Sequence, residues 1–125
     1  MKEFRVFLPN EPGQLAHVGE ALSHRGVNIL TVAAIGALNP AVALVVDQED
    51  IARVVLEELG LGFEEVELLT LNVPNRPGEL STFAKKLGDA EINIESIYLL
   101  EASGEEAKVA LTVSDAARAR EVLGI

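Results

Sequence analysis

The chain contains an internal repeat at a constant interval, and this repeat limits its fold more than any other feature. The stretch LPNEPGQL (8–15) returns as VPNRPGEL (73–80). The same interval aligns residues well beyond this turn: Leu22 with Leu87, Asn28 with Asn93, and Ile29 with Ile94. Because 125 residues are close to the size of one ordinary domain, each copy must be a small module. We therefore predict one module over residues 1–65 and a second over residues 66–125.

Hydrophobic periodicity predicts the same order of elements in both copies. Phe4, Val6 and Leu8 alternate with their neighbours, as in a strand that runs into the turn. After the turn, apolar residues recur at helical spacing in each copy: Leu15, Val18 and Leu22, then Leu80, Phe83 and Leu87. Two β-rich apolar runs follow. They are separated by GALNP (36–40) in the first copy and EASGEE (101–106) in the second, which predicts a hairpin in each.

A further helix is predicted near the end of each copy. In the first copy its apolar positions are Ile51, Val54, Val55 and Leu59, with Asp50 as the N-cap and Gly60 as the stop. Its counterpart runs from Asp115 to Leu123 and is stopped by Gly124. Between the copies, FEEVELLTLNV (63–73) indicates a last strand of the first copy that continues into the first strand of the second. No flexible linker is expected there.

These elements define an α+β fold. Each copy is strand, helix, strand, strand, helix, strand, the split βαβ arrangement with two helices on one face of an antiparallel sheet. We therefore predict two ferredoxin-like βαββαβ modules in tandem. The second module lacks room for a full last strand, because the closing segment Leu123-Gly124-Ile125 is too short for one. One edge of its sheet is expected to be unfinished or completed by another segment.

Composition excludes several classes of partner and site. A net charge of -10, with Lys85 and Lys86 as the only adjacent basic pair, argues against binding to nucleic acid or an anionic membrane. The chain has no cysteine, so thiolate chemistry and cysteine-based metal sites are excluded. Its two histidines, His17 and His24, are too far apart on a helix to chelate one ion directly. No cofactor and no metal are expected. Because the N-terminus lacks a signal-peptide pattern, we expect a cytoplasmic protein.

The repeated Pro-Asn-x-Pro-Gly turn has a structural and a functional interpretation. Its prolines and glycine suit a strand-to-helix turn without any ligand. However, a helix that begins near Gly13 or Gly78 presents free N–H groups where a carboxylate could bind. Asn10 and Asn75 add an amide that can donate to a carboxylate or accept from an ammonium group. The turn therefore suits the two groups that every free amino acid carries.

A second pair of asparagines strengthens the functional interpretation. Asn28 follows Asn10 at the same distance along the chain as Asn93 follows Asn75. Each opens an apolar strand, where an amide needs a polar partner. The competing explanation is that Asn28 and Asn93 cap the preceding helix.

The segments PNEPGQLAHVGEALSHRGVNI and PNRPGELSTFAKKLGDAEINI resemble the first halves of ACT domains, small regulatory modules that bind amino acids in metabolic enzymes. The resemblance covers nearly the whole chain as two copies. It implies a ferredoxin-like fold whose modules pair side by side, with ligand sites at the seam. A site would then combine Asn10 of one module with Asn93 of its neighbour, and Asn75 with Asn28. Residues beside these asparagines would complete the sites: Glu11, Gly13, Ile29, Arg76, Gly78 and Ile94.

The turns also depart from the family in ways that bear on the ligand. Serine-sensing members carry a histidine two residues before the turn asparagine, where this chain has Leu8 and Val73. The resemblance therefore implies an apolar rather than a small polar amino acid. Glu11 in the first turn is replaced by Arg76 in the second, so one turn could bind a ligand while the other is structural.

Three functions remain open on this evidence. The first is an allosteric regulatory protein that binds a free amino acid, forms a homodimer and acts on a metabolic enzyme. The second is a ligand-free structural or protein-interaction module, such as a regulatory subunit, that associates through the apolar run ILTVAAI (29–35). Catalysis is the third, and we expect no enzyme activity and no catalytic residue: Ser23 and His24 are neighbours on a helix, where adjacent side chains diverge.

Overall fold

The computed structural model describes residues 1–36 and 40–125. They form two compact units, Met1–Val66 and Glu67–Ile125. The elements of the first repeat are β1 (Lys2–Val6), α1 (Gln14–His24), β2 (Ile29–Ile35), β3 (Ala41–Val46), α2 (Glu49–Glu58) and β4 (Phe63–Glu67). Those of the second are β5 (Leu69–Pro74), α3 (Glu79–Asp89), β6 (Ile94–Ser103), β7 (Glu106–Val113) and α4 (Ala116–Leu123). Only Leu68 separates β4 from β5, so the predicted absence of a flexible linker is confirmed.

The first unit contains a four-stranded sheet in the order β2-β3-β1-β4. Strand β3 is antiparallel to both of its neighbours, and Leu44 lies opposite Phe4 on one side and Val32 on the other. Glu3 is buried, against the alternation predicted for the first strand, but Phe4, Val6 and Leu8 are all buried as that alternation predicted. They pack with Val18 and Leu22 of α1 and with Ala52, Val55 and Leu56 of α2 in one hydrophobic core.

The second unit has the corresponding sheet with one strand fewer, in the order β5-β7-β6. Its core combines Leu69 and Leu111 of the sheet with Phe83 and Leu87 of α3 and Ala119 of α4. Within the described residues, no strand follows α4. The predicted α+β class, the antiparallel sheets with paired helices and the missing last strand of the second module are therefore confirmed.

The second hairpin is slightly longer than the first. Ile29 of β2 pairs with Val46, and the repeat aligns these residues with Ile94 and Leu111. Ile94 instead pairs with Val113, beyond Leu111 in the chain, so the second copy contains extra residues between its paired strands. A β-bulge between Leu99 and Glu101 takes up part of the extra length. The antiparallel pairing confirms the two predicted hairpins, although residues 37–39 of the GALNP turn lie outside the described part of the chain.

The prediction for the start of α2 is wrong. The helix begins one residue before Asp50, with Gln48 at the N-cap, so Asp50 lies in the first turn and does not cap it. Asp115 does cap α4, because its Oδ1 accepts a hydrogen bond from the N–H of Arg118 at 3.1 Å. A constant interval aligns Asp50 with Asp115, but the longer hairpin shifts the alignment that follows it, and Gln48 is the true counterpart of Asp115.

Three apolar positions of the predicted helix stripes are exposed. Leu15 and Leu80 lie in the first turn of α1 and α3, ahead of the residues that reach the core. Val54 lies beside the buried stripe of α2, which is formed by Ala52, Val55 and Leu56 at helical spacing. No helix in residues 1–36 or 40–125 is long and apolar enough to cross a membrane.

Candidate functional site

The two repeated turns have nearly the same backbone conformation. Gly13 and Gly78 precede α1 and α3 with φ angles of 88° and 90°, a left-handed conformation that glycine adopts without steric cost. In each turn, the N–H of the residue after asparagine donates to the carbonyl oxygen of the proline before it: Glu11 to Pro9 at 2.9 Å and Arg76 to Pro74 at 3.0 Å. The predicted strand-to-helix turns, with helices that begin near Gly13 and Gly78, are thus confirmed.

Each turn leaves helix amides available for a ligand. Gly13 and Gly78 make no side-chain cap, and the first helical hydrogen bonds to their carbonyl oxygens come from His17 and Thr82, both at 3.0 Å. Across residues 1–36 and 40–125, no acceptor takes the N–H groups of Leu15 and Ala16 in α1 or of Leu80 and Ser81 in α3. These amides carry the partial positive charge of a helix N-terminus.

Asn10 is held in the first turn by close packing against Gly36, which directly follows β2. A Cβ atom placed on Gly36 would lie 2.6 Å from Nδ2 of Asn10 and 2.9 Å from its Cγ. No side chain larger than hydrogen fits there while Asn10 keeps its position. The sequence did not single out Gly36, because its importance comes from a residue much earlier in the chain.

Asn75 is held by hydrogen bonds to the longer hairpin of the second unit. Its backbone N–H donates to the carbonyl oxygen of Glu105 at 2.8 Å, and its side-chain Nδ2 donates to the carbonyl oxygen of Gly104 at 3.2 Å. The side-chain Oδ1 accepts no hydrogen bond from the described residues. The two turn asparagines, although equivalent in sequence, therefore have different supports.

A cavity lies beside each turn, between the start of the helix and the hairpin. The cavity of the first unit has a volume of about 150 Å³ and that of the second about 360 Å³. We call each turn with its cavity a cradle. The first cradle is lined by residues 8–11, Gln14, Leu15 and residues 34–36 and 40–42. The second is lined by residues 73–76, Glu79, Leu80, Phe83, residues 97–99, Ala107 and Val109.

The charges at the two cradles differ as well as their volumes. In the second cradle, Nε of Arg76 donates to Oε1 of Glu79 at 2.6 Å. The Arg76 side chain remains 69% exposed, whereas that of Glu79 is only 19% exposed. In the first cradle the corresponding residues are Glu11 and Gln14, and none of its described lining residues is a cation. Only the second cradle thus presents both a positive and a negative group.

Asn28 and Asn93 are not brought to the cradles within their own units. Asn28 N–H donates to Oδ1 of Asp47 at 2.9 Å, and Asn93 N–H donates to Oγ of Ser114 at 3.0 Å. These contacts lie at the start of β2 and β6, while Asn10 packs beyond the far end of β2. The whole length of β2 separates the two ends, about 23 Å. Ile29 and Ile94 directly follow Asn28 and Asn93 and are half-buried.

The capping explanation for Asn28 and Asn93 is wrong, and their role in ligand binding stays a prediction. Their side chains are exposed, so water can satisfy an amide that the strand does not. They also do not cap the preceding helices. That role falls to Gly26 and Glu91, which adopt positive φ angles of 74° and 58°, while the following Val27 and Ile92 donate back to the helix.

The described residues give little support to a metal site or to a catalytic serine. No cluster of three or more His, Asp or Glu side chains there could hold a metal ion. Ser23, the one serine beside a histidine, donates its hydroxyl to the carbonyl oxygen of Glu20 at 2.9 Å. This hydrogen bond stays within α1 and does not join Ser23 to His24.

Comparison with known proteins finds solved structures with the same fold. No protein-family profile and no curated protein sequence matches the chain. Among solved structures, protein BT0572 from Bacteroides thetaiotaomicron matches with a TM-score of 0.85 and 24% identity over 98% of this chain and 85% of that one. The regulatory subunit of aspartate kinase from Thermus flavus matches with a TM-score of 0.69 and 19% identity, over 98% and 88% of the two chains.

A larger protein contains the same fold as one part. The aspartate kinase of Clostridium acetobutylicum matches with a TM-score of 0.65 and 14% identity, over 98% of this chain and 32% of that one. At these identities the matches establish the fold. They confirm that this chain has the architecture of a tandem ACT-domain protein, as its repeated motif predicted.

Proposed function

We propose that this chain is a regulatory protein without catalytic activity that senses a free amino acid. The observation that carries the proposal is the repeated turn: a left-handed glycine, free helix amides and an asparagine stand beside a cavity in both units. Backbone amides suit the carboxylate of an amino acid, and the asparagine suits its ammonium group. The shared fold with a regulatory subunit of aspartate kinase supports a regulatory role and a metabolic enzyme as partner.

The second asparagines suggest how each site is completed. Asn28 and Asn93 are exposed at the opposite end of their unit from the turn, so they are available to a neighbouring module and not to their own cradle. We infer sites that combine Asn10 with Asn93 and Asn75 with Asn28, with Ile29 and Ile94 beside them. Residues 11, 13, 76 and 78 supply the rest of each site.

Exposed apolar residues support a homodimer as the assembly in which such sites form. On the edge strand β2, Leu30 is 51% exposed, Val32 48% and Ile35 76%. An edge strand with exposed apolar side chains readily pairs with another strand. A second copy that pairs along β2 would cover these residues. It would also bring the module of one chain beside that of the other.

Calorimetric titration with a panel of the free amino acids tests the proposal. We expect at least one amino acid to release heat on binding and to raise the melting temperature of the protein, because a ligand selective for the folded state stabilises it. At least one of Asn10→Ala and Asn75→Ala should weaken binding, and Asn72→Ala, on an exposed position of β5, serves as the control. A full panel without heat or a melting shift would reject the proposal.

The exposed apolar residues of β2 also favour a second candidate, an interaction module without a ligand. The two candidates differ in what the assembly requires. An interaction module would bind no amino acid and would associate equally well with and without amino acids, and Val32→Lys would abolish its association. Sedimentation equilibrium with and without each amino acid separates them.

A further inference from the structure

We propose that the two cradles are not equivalent: only the second binds an amino acid, and its ligand carries a bulky apolar side chain. Arg76 recognises the carboxylate of this ligand, and Glu79 recognises its ammonium group. The first cradle binds no ligand and has only a structural role. This inference rests on the proposed function and specifies which half of the repeat performs it.

Cavity size is the first argument. Ligand sites in proteins usually begin at about 300 Å³. The second cavity, at about 360 Å³, is above this size, and the first, at about 150 Å³, is well below it. Asn10 and Gly36, which pack against each other, both line the first cavity. Asn75 is instead drawn towards Gly104 of the longer hairpin, with an Nδ2 to oxygen distance of 3.2 Å.

The lining of the second cavity determines the type of side chain. Phe83 and Val109 form its buried base, and Leu80 and Leu99 stand at its rim, 61% and 57% exposed. An apolar ligand side chain would remove these rim residues from water, which is the main source of favourable free energy for such a site. The residue in the first cradle that corresponds to Leu99 is Ala34, which offers much less apolar surface.

Charge gives the orientation of the ligand. Arg76 donates to Glu79 through Nε alone among the described residues, so its terminal nitrogens remain available for a carboxylate. The free amides of Leu80 and Ser81 favour the same group. Glu79 retains a second carboxylate oxygen that can accept from an ammonium group. In the first cradle Glu11 would repel a ligand carboxylate, and no cation among the described lining residues offsets this repulsion.

The test is calorimetric titration with L-leucine and L-phenylalanine, and with L-serine and glycine for comparison. The wild-type chain is expected to bind one molecule of an apolar amino acid per chain and to bind serine and glycine at least tenfold more weakly. Leu80→Trp, which fills the rim of the second cavity, should weaken binding at least tenfold. Leu15→Trp, at the matched position of the first cradle, should change it less than twofold.

Two variants that change a charge test the proposal independently of cavity size. Arg76→Glu should weaken binding about 10- to 100-fold, since a charge-assisted hydrogen bond is lost and a repulsion is added. Glu11→Arg should leave the stoichiometry at one. Circular dichroism and thermal melting establish that each variant is folded, and both substituted positions are exposed.

The outcomes separate this inference from the proposed function. Two ligands per chain, tighter binding of serine, or equal losses in Leu15→Trp and Leu80→Trp would overturn the inference while an amino-acid sensor remained. Binding unaffected by Leu80→Trp and Arg76→Glu would overturn it too. No binding of any amino acid would reject both.

Discussion

Asn10 packs so closely against Gly36 that its side-chain amide occupies the space that a side chain at position 36 would need. A Cβ on Gly36 would lie 2.6 Å from Nδ2 of Asn10, well inside van der Waals contact. The contact joins the turn before α1 to the end of β2.

Gly36→Ala should therefore displace the side chain of Asn10. Because Asn10 is exposed and its side chain can rotate away, we expect a cost in the free energy of unfolding of less than about 1 kcal/mol. NMR should detect the move as a large shift of the Asn10 side-chain amide resonances. Gly19→Ala is the control, since no atom lies within 4 Å of its added Cβ. Unchanged Asn10 resonances in Gly36→Ala would contradict the packing.

Glu91→Gly should stabilise the protein. Glu91 adopts a φ of 58°, the left-handed region that costs a non-glycine residue about 1 to 2 kcal/mol. Glycine removes this strain but is more flexible when unfolded, so the expected net gain is about 0.5 to 1 kcal/mol. Urea denaturation measures it. At the equivalent position of the first unit, Gly26→Ala should destabilise by a similar amount, because its φ is 74°. A loss of stability in Glu91→Gly would contradict the assignment of strain.

Asp115→Ala should cost about 1 kcal/mol in the free energy of unfolding, the usual cost of losing a helix N-cap. Its Oδ1 accepts from the N–H of Arg118 at 3.1 Å and caps α4. Asp50→Ala is the matched control. Asp50 makes only an exposed ion pair with Arg53 at 3.0 Å, so its loss should cost less than about 0.5 kcal/mol. Denaturant midpoints of the two variants give the comparison, and equal losses would refute the difference in capping.

The pair of Arg53 on α2 and Glu65 on β4 should make stability depend on acid pH. Arg53 donates to both oxygens of Glu65, at 2.7 and 2.6 Å, and these hydrogen bonds lower the pKa of Glu65 below its ordinary value of 4.5. The folded state therefore binds fewer protons than the unfolded state between the two pKa values. The contribution of the pair is complete above the ordinary pKa and is lost as the pH falls through the lowered one.

Glu65→Gln is the corresponding variant. Its melting temperature should fall below that of the wild type at pH 7, and the difference should shrink as the pH approaches 3. Glu57→Gln is the control, an exposed position on α2. A difference between wild type and Glu65→Gln that stays constant from pH 7 to pH 3 would rule out a titrating pair.

Most of the fold could be predicted because it rests on local patterns that occur twice. The alternation of Phe4, Val6 and Leu8 and the helical spacing of Phe83 and Leu87 report burial directly. The absence of a strand after α4 within the described residues agrees with the count of residues there. Asp50 was assigned wrongly as a cap because it directly precedes the apolar stripe of α2, whereas the helix begins at Glu49 with Gln48 at the N-cap.

The site was less accessible from the sequence, since it depends on contacts between distant residues. Gly36 supports Asn10, and Gly104 supports Asn75, yet neither glycine belongs to the repeated motif. The difference between a cavity of about 150 Å³ and one of about 360 Å³ arises from side chains on three separate elements. By contrast, the unusual conformation of Gly13 and Gly78 was predictable, because only the turn itself determines it.

The longer second hairpin corresponds to a pair of additional codons in the second copy relative to the first. Its tip supplies Gly104 and Glu105, whose carbonyl oxygens accept hydrogen bonds from Asn75. Duplication leaves one copy free to maintain the older role while its twin drifts. A hairpin tip far from any core is a tolerant place for such drift to begin, and here the tip touches the turn on which specificity would depend.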